Sequence, residues 1–386
     1  MPRRASSFVN SVGVNVHMSY FDTAYRHWQE VRAKLVELGV RHVRDGACPG
    51  CVEQRQRLLA LAAAGIRADY IMGHPGESLS QMVKMLAGPM RSSVDAVEGP
   101  NEYDASGDRH WVSHLRGYQH RLYRLVKRTR VLDGVPVFGP TLVSGDDFRR
   151  LASLRRYTDF GNVHPYSGGQ VPAATLPYNR HVEELVAPRR PVVATEAGFH
   201  NAIASTSGNR PVSEAAQAGY VPRMFLDFFN AGVVRTYLYE LLDEGPNRSR
   251  TDMEKHFGLL RSNFSEKPAF RALKSLLAAV APVTATSFRL TPIDYTVAPD
   301  APTDLRELLL QTGPHSYALV LWRNVSVWNT QTLRTEHVDP ATVQLTLGGG
   351  ARVTGVRTLA RGFVPVSGAA LSLRLAGMPR VVSITH

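Results

Sequence analysis

Eight short apolar runs alternate with amphipathic segments along the first part of this sequence, and this alternation restricts the possible folds more than any other feature. The runs are residues 12–17, 41–46, 68–73, 96–102, 135–143, 160–166, 191–198 and 235–242. Between them, apolar residues recur three or four positions apart, which is the spacing of one helix face. Eight strand–helix units in roughly 270 residues predict a (β/α)8 TIM barrel. A doubly wound sheet is the alternative, but no Gly-x-Gly-x-x-Gly follows the first run.

The pattern changes after the last helical segment, near Ala281. Alternating strands are expected at residues 316–322, 342–347, 353–359 and 371–375, with turn residues between them. About 100 residues of this kind are typical of a β-sandwich. We therefore expect an α/β chain with a barrel domain over residues 1–280 and a smaller all-β sandwich domain over residues 281–386.

The composition is that of a folded protein rather than a disordered or membrane-spanning one. Hydrophobic residues make up 44% of the chain and charged residues 20%, with a formal net charge of +12. No apolar stretch is long enough for a transmembrane helix. Basic residues do not cluster on one helix face with aromatic residues between them, so we expect neither a nucleic acid nor a membrane as partner. The positive charge would favour an anionic partner, such as an anionic polysaccharide.

Polar residues close most of the eight runs. In a TIM barrel the active site lies at the carboxyl ends of the strands, so these residues are the candidates for a common pocket. They are His17, Arg44, Asp45, His74, Asn101, Glu102, His164, Tyr166, Glu196, Tyr239 and Glu240. So many hydrogen-bonding side chains on one rim predict a binding pocket for a polar ligand.

Two of these residues are carboxylates on opposite sides of the expected barrel. Glu102 follows the fourth run and Glu196 closes the seventh, 94 residues later, which is the length of three strand–helix units. Two carboxyl groups about 5 Å apart support the retaining mechanism of glycosidic-bond cleavage. Glu98, four residues before Glu102, is the alternative for the acid/base role because it would point to the same side of an ideal strand.

The motifs around these two residues resemble those of the clan A glycoside hydrolases, which are retaining (β/α)8 enzymes. The resemblance depends on Asn101-Glu102, on Thr195-Glu196-Ala197-Gly198, on His164-Pro165-Tyr166 and on Arg44. The layout of a barrel followed by a sandwich is similar to families 39, 30 and 5 of that clan. Two features depart from the common pattern. Tyr103-Asp104 follows the acid/base motif where many members have Pro, and Tyr239-Glu240 occupies a position where many have Trp.

The resemblance implies a hydrolase that cleaves β-glycosidic bonds of an oligo- or polysaccharide by double displacement. In that scheme Glu196 is the nucleophile, Glu102 is the general acid/base, and Asn101 donates a hydrogen bond to the sugar 2-hydroxyl. The other expected substrate-binding residues are Arg44, Asp45, His17, His164, Tyr166, Trp111, Tyr239 and Glu240. Trp111 is included as an aromatic platform for a sugar ring, whereas Tyr118 is expected in the core. No pair of histidines has metal-ligand spacing, so we expect no catalytic metal and no cofactor.

Two other functional classes remain open at this point. The first is a catalytically inactive carbohydrate-binding protein on the same scaffold. The second is a thiol oxidoreductase, because Cys48 and Cys51 form a Cys-x-x-Cys motif. A short disulfide or two free thiols are favoured over redox catalysis, since the rest of the chain lacks a thioredoxin-like layout. A disulfide would favour a secreted or cell-envelope protein, although residues 1–4 lack the apolar segment of a signal peptide.

Overall fold

Eight parallel strands form a closed barrel in the computed structural model, which describes residues 1–283, 287–298 and 300–386. A two-residue strand, β1 (Arg3–Arg4), comes first, and the barrel strands are β2 (Val12–Asn15), β3 (His42–Gly46), β4 (Arg67–Ile71), β5 (Val94–Glu98), β6 (Val137–Phe138), β7 (Gly161–Val163), β8 (Val192–Ala197) and β9 (Thr236–Leu238). Their order around the sheet is β6-β5-β4-β3-β2-β9-β8-β7. A parallel bridge between Phe138 and Phe160 joins the two ends. The predicted (β/α)8 barrel is confirmed.

Helices cover the outside of the barrel. They are α1 (Ala5–Asn10), α2 (Trp28–Leu38), α3 (Val52–Ala63), α4 (Leu79–Ala87), α5 (Trp111–Arg128), α6 (Gly145–Leu151), α7 (Leu176–Val186), α8 (Glu214–Asn230) and α9 (Pro268–Val280). Helix α2 shows how the apolar spacing works: it buries Val31, Leu35 and Leu38 and ends at Gly39, whose φ of 84° suits a residue without a side chain. None of the described helices has the length and hydropathy required to cross a bilayer.

The C-terminal part is a sandwich of antiparallel sheets. Its strands are β10 (Tyr295–Val297), β11 (Leu305–Gly313), β12 (Ser316–Arg323), β13 (Trp328–Asn329), β14 (Arg334–Thr335), β15 (Ala341–Leu347), β16 (Arg352–Thr358), β17 (Gly362–Val364), β18 (Ala370–Leu375) and β19 (Arg380–Thr385). The larger sheet has the order β1-β11-β12-β19-β16-β17, and the smaller one has the order β10-β15-β18. The four strands expected from the sequence are present as β12, β15, β16 and β18. Strand β1 adds the first residues of the chain to the larger sheet, in parallel with β11.

Strand β12 links the sandwich to the barrel because both of its faces are buried. Leu319 and Leu321 pack against the smaller sheet, while Val320 and Trp322 belong to the core shared with the barrel helices. The indole Nε1–H of Trp322 donates a hydrogen bond of 2.8 Å to Asp227 in α8. The larger sheet is therefore the middle layer between the barrel and the smaller sheet.

The two cysteines lie in the loop after β3. Cys48 and Cys51 form a disulfide, which is one of the two states expected from the sequence. It closes a short loop immediately before α3, outside the polar residues at the strand ends.

Candidate active site

The carboxyl ends of the barrel strands surround a cavity of about 400 Å³. Its lining includes the predicted residues His17, Arg44, Asp45, His74, Asn101, Glu196 and Tyr239, together with Asn15, Ser19, Tyr20 and Glu77. A second cavity, of about 520 Å³, lies between the loop after β9 and strand β13, and none of the predicted catalytic residues lines it. We therefore place the candidate active site in the first cavity.

Arg44 lies at the centre of the site and is almost completely buried, with 2% of its surface exposed. Its Nε and Nη2 donate to the two carboxylate oxygens of Glu98, at 2.8 and 2.7 Å. Its Nη1 donates to Glu196 at 2.7 Å and to Asn15 at 3.0 Å. Nη2 also donates to the side-chain oxygen of Asn101, at 2.7 Å. One guanidinium thus fixes the positions of two carboxylates and two amides from three strands or their ends.

Glu196 is held by donors on both of its oxygens. Arg44 donates to Oε1, and the hydroxyl of Tyr166 donates to Oε2 at 2.8 Å. Burial alone would raise the pKa of Glu196, but the charges of His164 and Arg44 and the Tyr166 hydroxyl hold this pKa below its ordinary value. Burial raises the pKa of Tyr166 itself, so its hydroxyl stays a donor. The carboxylate of Glu196 is therefore ionised and oriented.

Glu102 lies beyond the end of β5 in a left-handed backbone conformation, with φ of 47°. Its side chain is one-third exposed, and its Oε1 is 2.8 Å from Nδ1 of His164. The other ring nitrogen of His164 is 3.0 Å from the hydroxyl of Thr195, which donates to Asn162 at 2.9 Å. This chain of contacts fixes the orientation of the imidazole against Glu102.

The carboxyl groups of Glu102 and Glu196 lie close together, as their spacing in the sequence suggests. Ligand atoms of Glu102, His164 and Glu196 lie within 4.8 Å of one another. This separation is closer to the spacing of a retaining pair, about 5 Å, than to the wider spacing of an inverting pair, which must admit a water molecule beside the sugar. Glu98, the other candidate, is completely buried, and both of its oxygens accept from Arg44.

A second group of polar side chains lies beside this pair, at the ends of β2 and β9. The Nε2 of His17 is 3.3 Å from a carboxylate oxygen of Glu240, and the same oxygen accepts from Tyr25 at 2.8 Å. Burial alone would lower the pKa of His17, but Glu240 and the nearby Asp45 together raise this pKa to about 9. Glu240 is completely buried and lies behind His17, so it supports the pocket wall without lining the cavity.

Tyr239 and Asp45 line the cavity together with His17. The hydroxyl of Tyr239 donates to Glu254 at 3.0 Å, and its ring makes an edge contact with His17. Asp45 accepts from the backbone nitrogen of Met18 at 3.1 Å, and burial raises its pKa to about 6. These contacts fix two of the side chains that line the cavity.

The expectation for Trp111 is corrected by the structure. Trp111 is the first residue of α5 and is only 4% exposed, because it packs with Leu115, Phe148 and Leu151. Its ring is also covered by the Arg150 guanidinium, 5.2 Å from the centroid. Trp111 is a core residue and does not face the cavity. Tyr118 is buried, as expected.

Several polar residues of the site were not predicted. Asn15, Asp69, Asn162 and Thr195 lie inside barrel strands and are at most 2% exposed. Burial and the neighbouring Glu98 raise the pKa of Asp69 well above its ordinary value, which favours the protonated form of Asp69 beside Glu98. One feature of the sequence could have identified them. Strands of a parallel barrel are buried on both faces and are usually apolar, so a polar residue inside such a strand is unusual.

Two groups of side chains among the described residues have the composition and spacing to hold a metal ion. One is Glu102, His164 and Glu196, and the other is His17, Glu240 and Glu244. In the first group, Arg44 and Tyr166 already donate to Glu196, which suits an acid–base pair better than a metal centre. The second group has no such donor from Arg or Lys within the described residues.

Replacing Tyr166 with Phe is expected to lower kcat/KM about tenfold or more, because a hydrogen bond to a charged group is lost. The same change raises the pKa of Glu196, so the acidic limb of the pH profile of kcat/KM moves to higher pH. Tyr123→Phe is the matched control, since Tyr123 donates to Asp159 away from the cavity. An unchanged acidic limb in Tyr166→Phe would show that this hydroxyl does not control Glu196.

Comparison with known proteins supports the fold and the predicted resemblance. No protein-family model matches the sequence, and no curated protein matches it either. Among solved structures, a family 39 glycoside hydrolase from Bacteroides cellulosilyticus has a TM-score of 0.63 at 17% identity, covering 97% of this chain and 81% of its own. A family 39 enzyme from Xanthomonas axonopodis pv. citri has a TM-score of 0.63 at 14% identity, covering 98% and 94%.

A third similar structure is a monomeric β-xylosidase from Caulobacter crescentus. Its TM-score is 0.62 at 14% identity, with 97% of this chain and 96% of that chain covered. At such low identities the similarity establishes the shared architecture of barrel and sandwich. The expected similarity to clan A enzymes of family 39 is therefore confirmed at the level of the fold.

Proposed function

We propose that this protein is a retaining glycoside hydrolase that cleaves β-glycosidic bonds of an oligo- or polysaccharide, with Glu196 as nucleophile and Glu102 as general acid/base. The observation that carries the proposal is the placement of these two carboxylates, within 4.8 Å of each other at the mouth of the barrel. Their surroundings differ as the two roles require. Glu196 is buried and charge-stabilised, whereas Glu102 is one-third exposed and contacts an imidazole.

The first step forms a bond between a carboxylate oxygen of Glu196 and the anomeric carbon of the sugar. The glycosidic C–O bond breaks, and the leaving oxygen takes its proton from Glu102. Glu196 then carries a neutral ester, so the carboxylate on Glu102 no longer faces a second negative charge. Glu102 takes a proton from water, the water oxygen attacks the anomeric carbon, and Glu196 leaves as a carboxylate.

His164 orients Glu102. Its Nδ1 is 2.8 Å from one carboxyl oxygen of Glu102, and its Nε2 is 3.0 Å from the hydroxyl of Thr195. The imidazole therefore holds the side chain of Glu102 beside Glu196. Asn101, which is held by Arg44, would direct its amide group at the sugar 2-hydroxyl.

A β-xyloside is the first substrate to test, because a β-xylosidase shares the fold over both domains. The test is intact-protein mass spectrometry after incubation with 2-deoxy-2-fluoro glycosides that carry good leaving groups, followed by peptide mapping. We expect one glycosyl adduct per chain on Glu196, because the fluorine slows both formation and hydrolysis of the ester, whereas the good leaving group speeds its formation only.

Labelling of another carboxylate would contradict the assignment of the nucleophile. A protein that forms no adduct across the panel, yet binds natural glycans without cleaving them, would be the inactive carbohydrate-binding protein considered above. The experiment therefore separates the two functional classes as well as naming the nucleophile.

A further inference from the structure

A second cluster of ligating side chains borders the cavity, and the proposed reaction does not use it. It consists of His17, after β2, and of Glu240 and Glu244, after β9; we call these three residues the His17 cluster. One ligand atom from each lies within 4.8 Å of the others. His17 also lines the cavity, so the cluster is open to small solutes on that side.

One carboxylate oxygen of the His17 cluster, Oε1 of Glu240, is buried and lacks a hydrogen-bond partner among the described residues. The other oxygen of Glu240 accepts from the hydroxyl of Tyr25 at 2.8 Å and is 3.3 Å from Nε2 of His17. Buried polar atoms in proteins almost always have a partner, and a buried carboxylate oxygen without one is costly. The unpartnered oxygen of Glu240 therefore points to a missing ligand.

The groups around the His17 cluster indicate whether the missing ligand is a cation or an anion. Asp45 lies near His17, and Glu254 lies near Glu244, so two further carboxyl groups border the cluster. Within the described part of the chain, neither Glu240 nor Glu244 forms an ion pair with Lys or Arg. Arg44, by contrast, neutralises Glu98 and Glu196 in the neighbouring network. An imidazole nitrogen and two carboxyl groups whose ligand atoms lie within 4.8 Å of one another form a set of ligands for a cation rather than for an anion.

We propose that the His17 cluster binds a divalent transition-metal ion through the His17 imidazole and the Glu240 and Glu244 carboxylates. One nitrogen and two carboxylate ligands suit Zn²⁺ and its neighbours better than Mg²⁺ or Ca²⁺, which prefer oxygen ligands only. The ion replaces the proton on His17. Three protein ligands leave a coordination position for water or a sugar hydroxyl on the cavity side.

The test measures bound metal directly and does not depend on hydrolysis. Purified full-length protein is stripped with a chelator and titrated with Zn²⁺ by calorimetry, and the bound metal is counted by mass spectrometry after dialysis. We expect one Zn²⁺ per chain. His17→Ala and Glu244→Gln should each weaken it at least about tenfold, since even indirect support of a ligand has an effect of this size. Both changes avoid the fully buried Glu240, and circular dichroism checks that the variants fold.

Two further variants control for other sites. Glu77→Gln removes a carboxylate from the same cavity, where Glu77 pairs with His74 at 2.9 Å, and it should leave Zn²⁺ binding unchanged. Glu102→Gln removes a ligand of the other possible metal group and should also have no effect. The proposal is wrong if the wild-type protein binds no stoichiometric Zn²⁺, if both His17 cluster variants bind it normally, or if Glu102→Gln alone weakens it.

Discussion

Replacing Glu196 with Gln is expected to reduce turnover of an aryl β-glycoside by at least about 10⁴-fold, the scale of loss when an enzyme nucleophile is removed. An amide is too weak a nucleophile to form the glycosyl ester. The amide oxygen can still accept from Arg44, and the amide nitrogen can donate to the hydroxyl oxygen of Tyr166. Oligosaccharide binding, measured by calorimetry, should therefore change little while kcat collapses.

Glu183→Gln is the matched control for that experiment. Glu183 is also completely buried in the barrel domain, and burial raises its pKa well above the ordinary range, so an uncharged amide replaces the form that burial favours. It accepts from the backbone of Asn162 at 3.0 Å, which an amide oxygen can also do. We expect this variant to keep full turnover. A Glu196→Gln protein that retained activity within tenfold of the wild type would contradict the proposed nucleophile.

The barrel and its two central carboxylates could be predicted because both signals are local in the chain. Each barrel strand is a short apolar run, and Glu102 and Glu196 stand where two such runs end. The Glu-Ala-Gly sequence after the seventh run also has a packing reason, since a side chain at Gly198 would collide with the carbonyl oxygen of Tyr239. Strand direction then brings the two glutamates to the same end of the barrel.

The positions of the other site residues could not be predicted, because they depend on which face of a strand or helix packs against the rest of the protein. Trp111 follows a barrel strand closely in the sequence, but α5 turns its ring towards α6 and into the core. Glu240 and His17 lie near the ends of different runs, but the tertiary fold buries Glu240 completely, so Glu240 lies behind His17. No local sequence pattern specifies how deeply a side chain is buried.

In the sandwich, the strands missed by the sequence analysis have ambiguous patterns. Strand β11 contains Glu-Leu-Leu-Leu, a run that suits a helix as well as a strand, and its register with β12 is set by a hairpin. Strand β19 lies in the middle of the larger sheet between β12 and β16, so both of its faces are largely covered and strict alternation is lost. Pairing partners, rather than propensity, determine these strands.

Replacing Glu102 with Gln should have an effect that depends on the leaving group of the substrate. A leaving group that needs no proton can depart without an acid, so formation of the glycosyl-enzyme changes little for a dinitrophenyl glycoside. For an alkyl glycoside or a natural disaccharide, kcat/KM should fall about 10² to 10⁴-fold, which is the usual contribution of general acid catalysis. Measuring kcat/KM across a series of leaving groups tests this expectation directly.

The same variant should hydrolyse its glycosyl-enzyme slowly, because no base activates water. Azide carries its own negative charge and needs no base, so added azide should restore turnover of the dinitrophenyl glycoside and give the β-glycosyl azide. Equal losses for good and poor leaving groups, without rescue by azide, would exclude Glu102 from the acid/base role. Glu98 could not take that role in this structure. It is completely buried, and both of its oxygens are held by Arg44, so it can reach neither the leaving oxygen nor the attacking water.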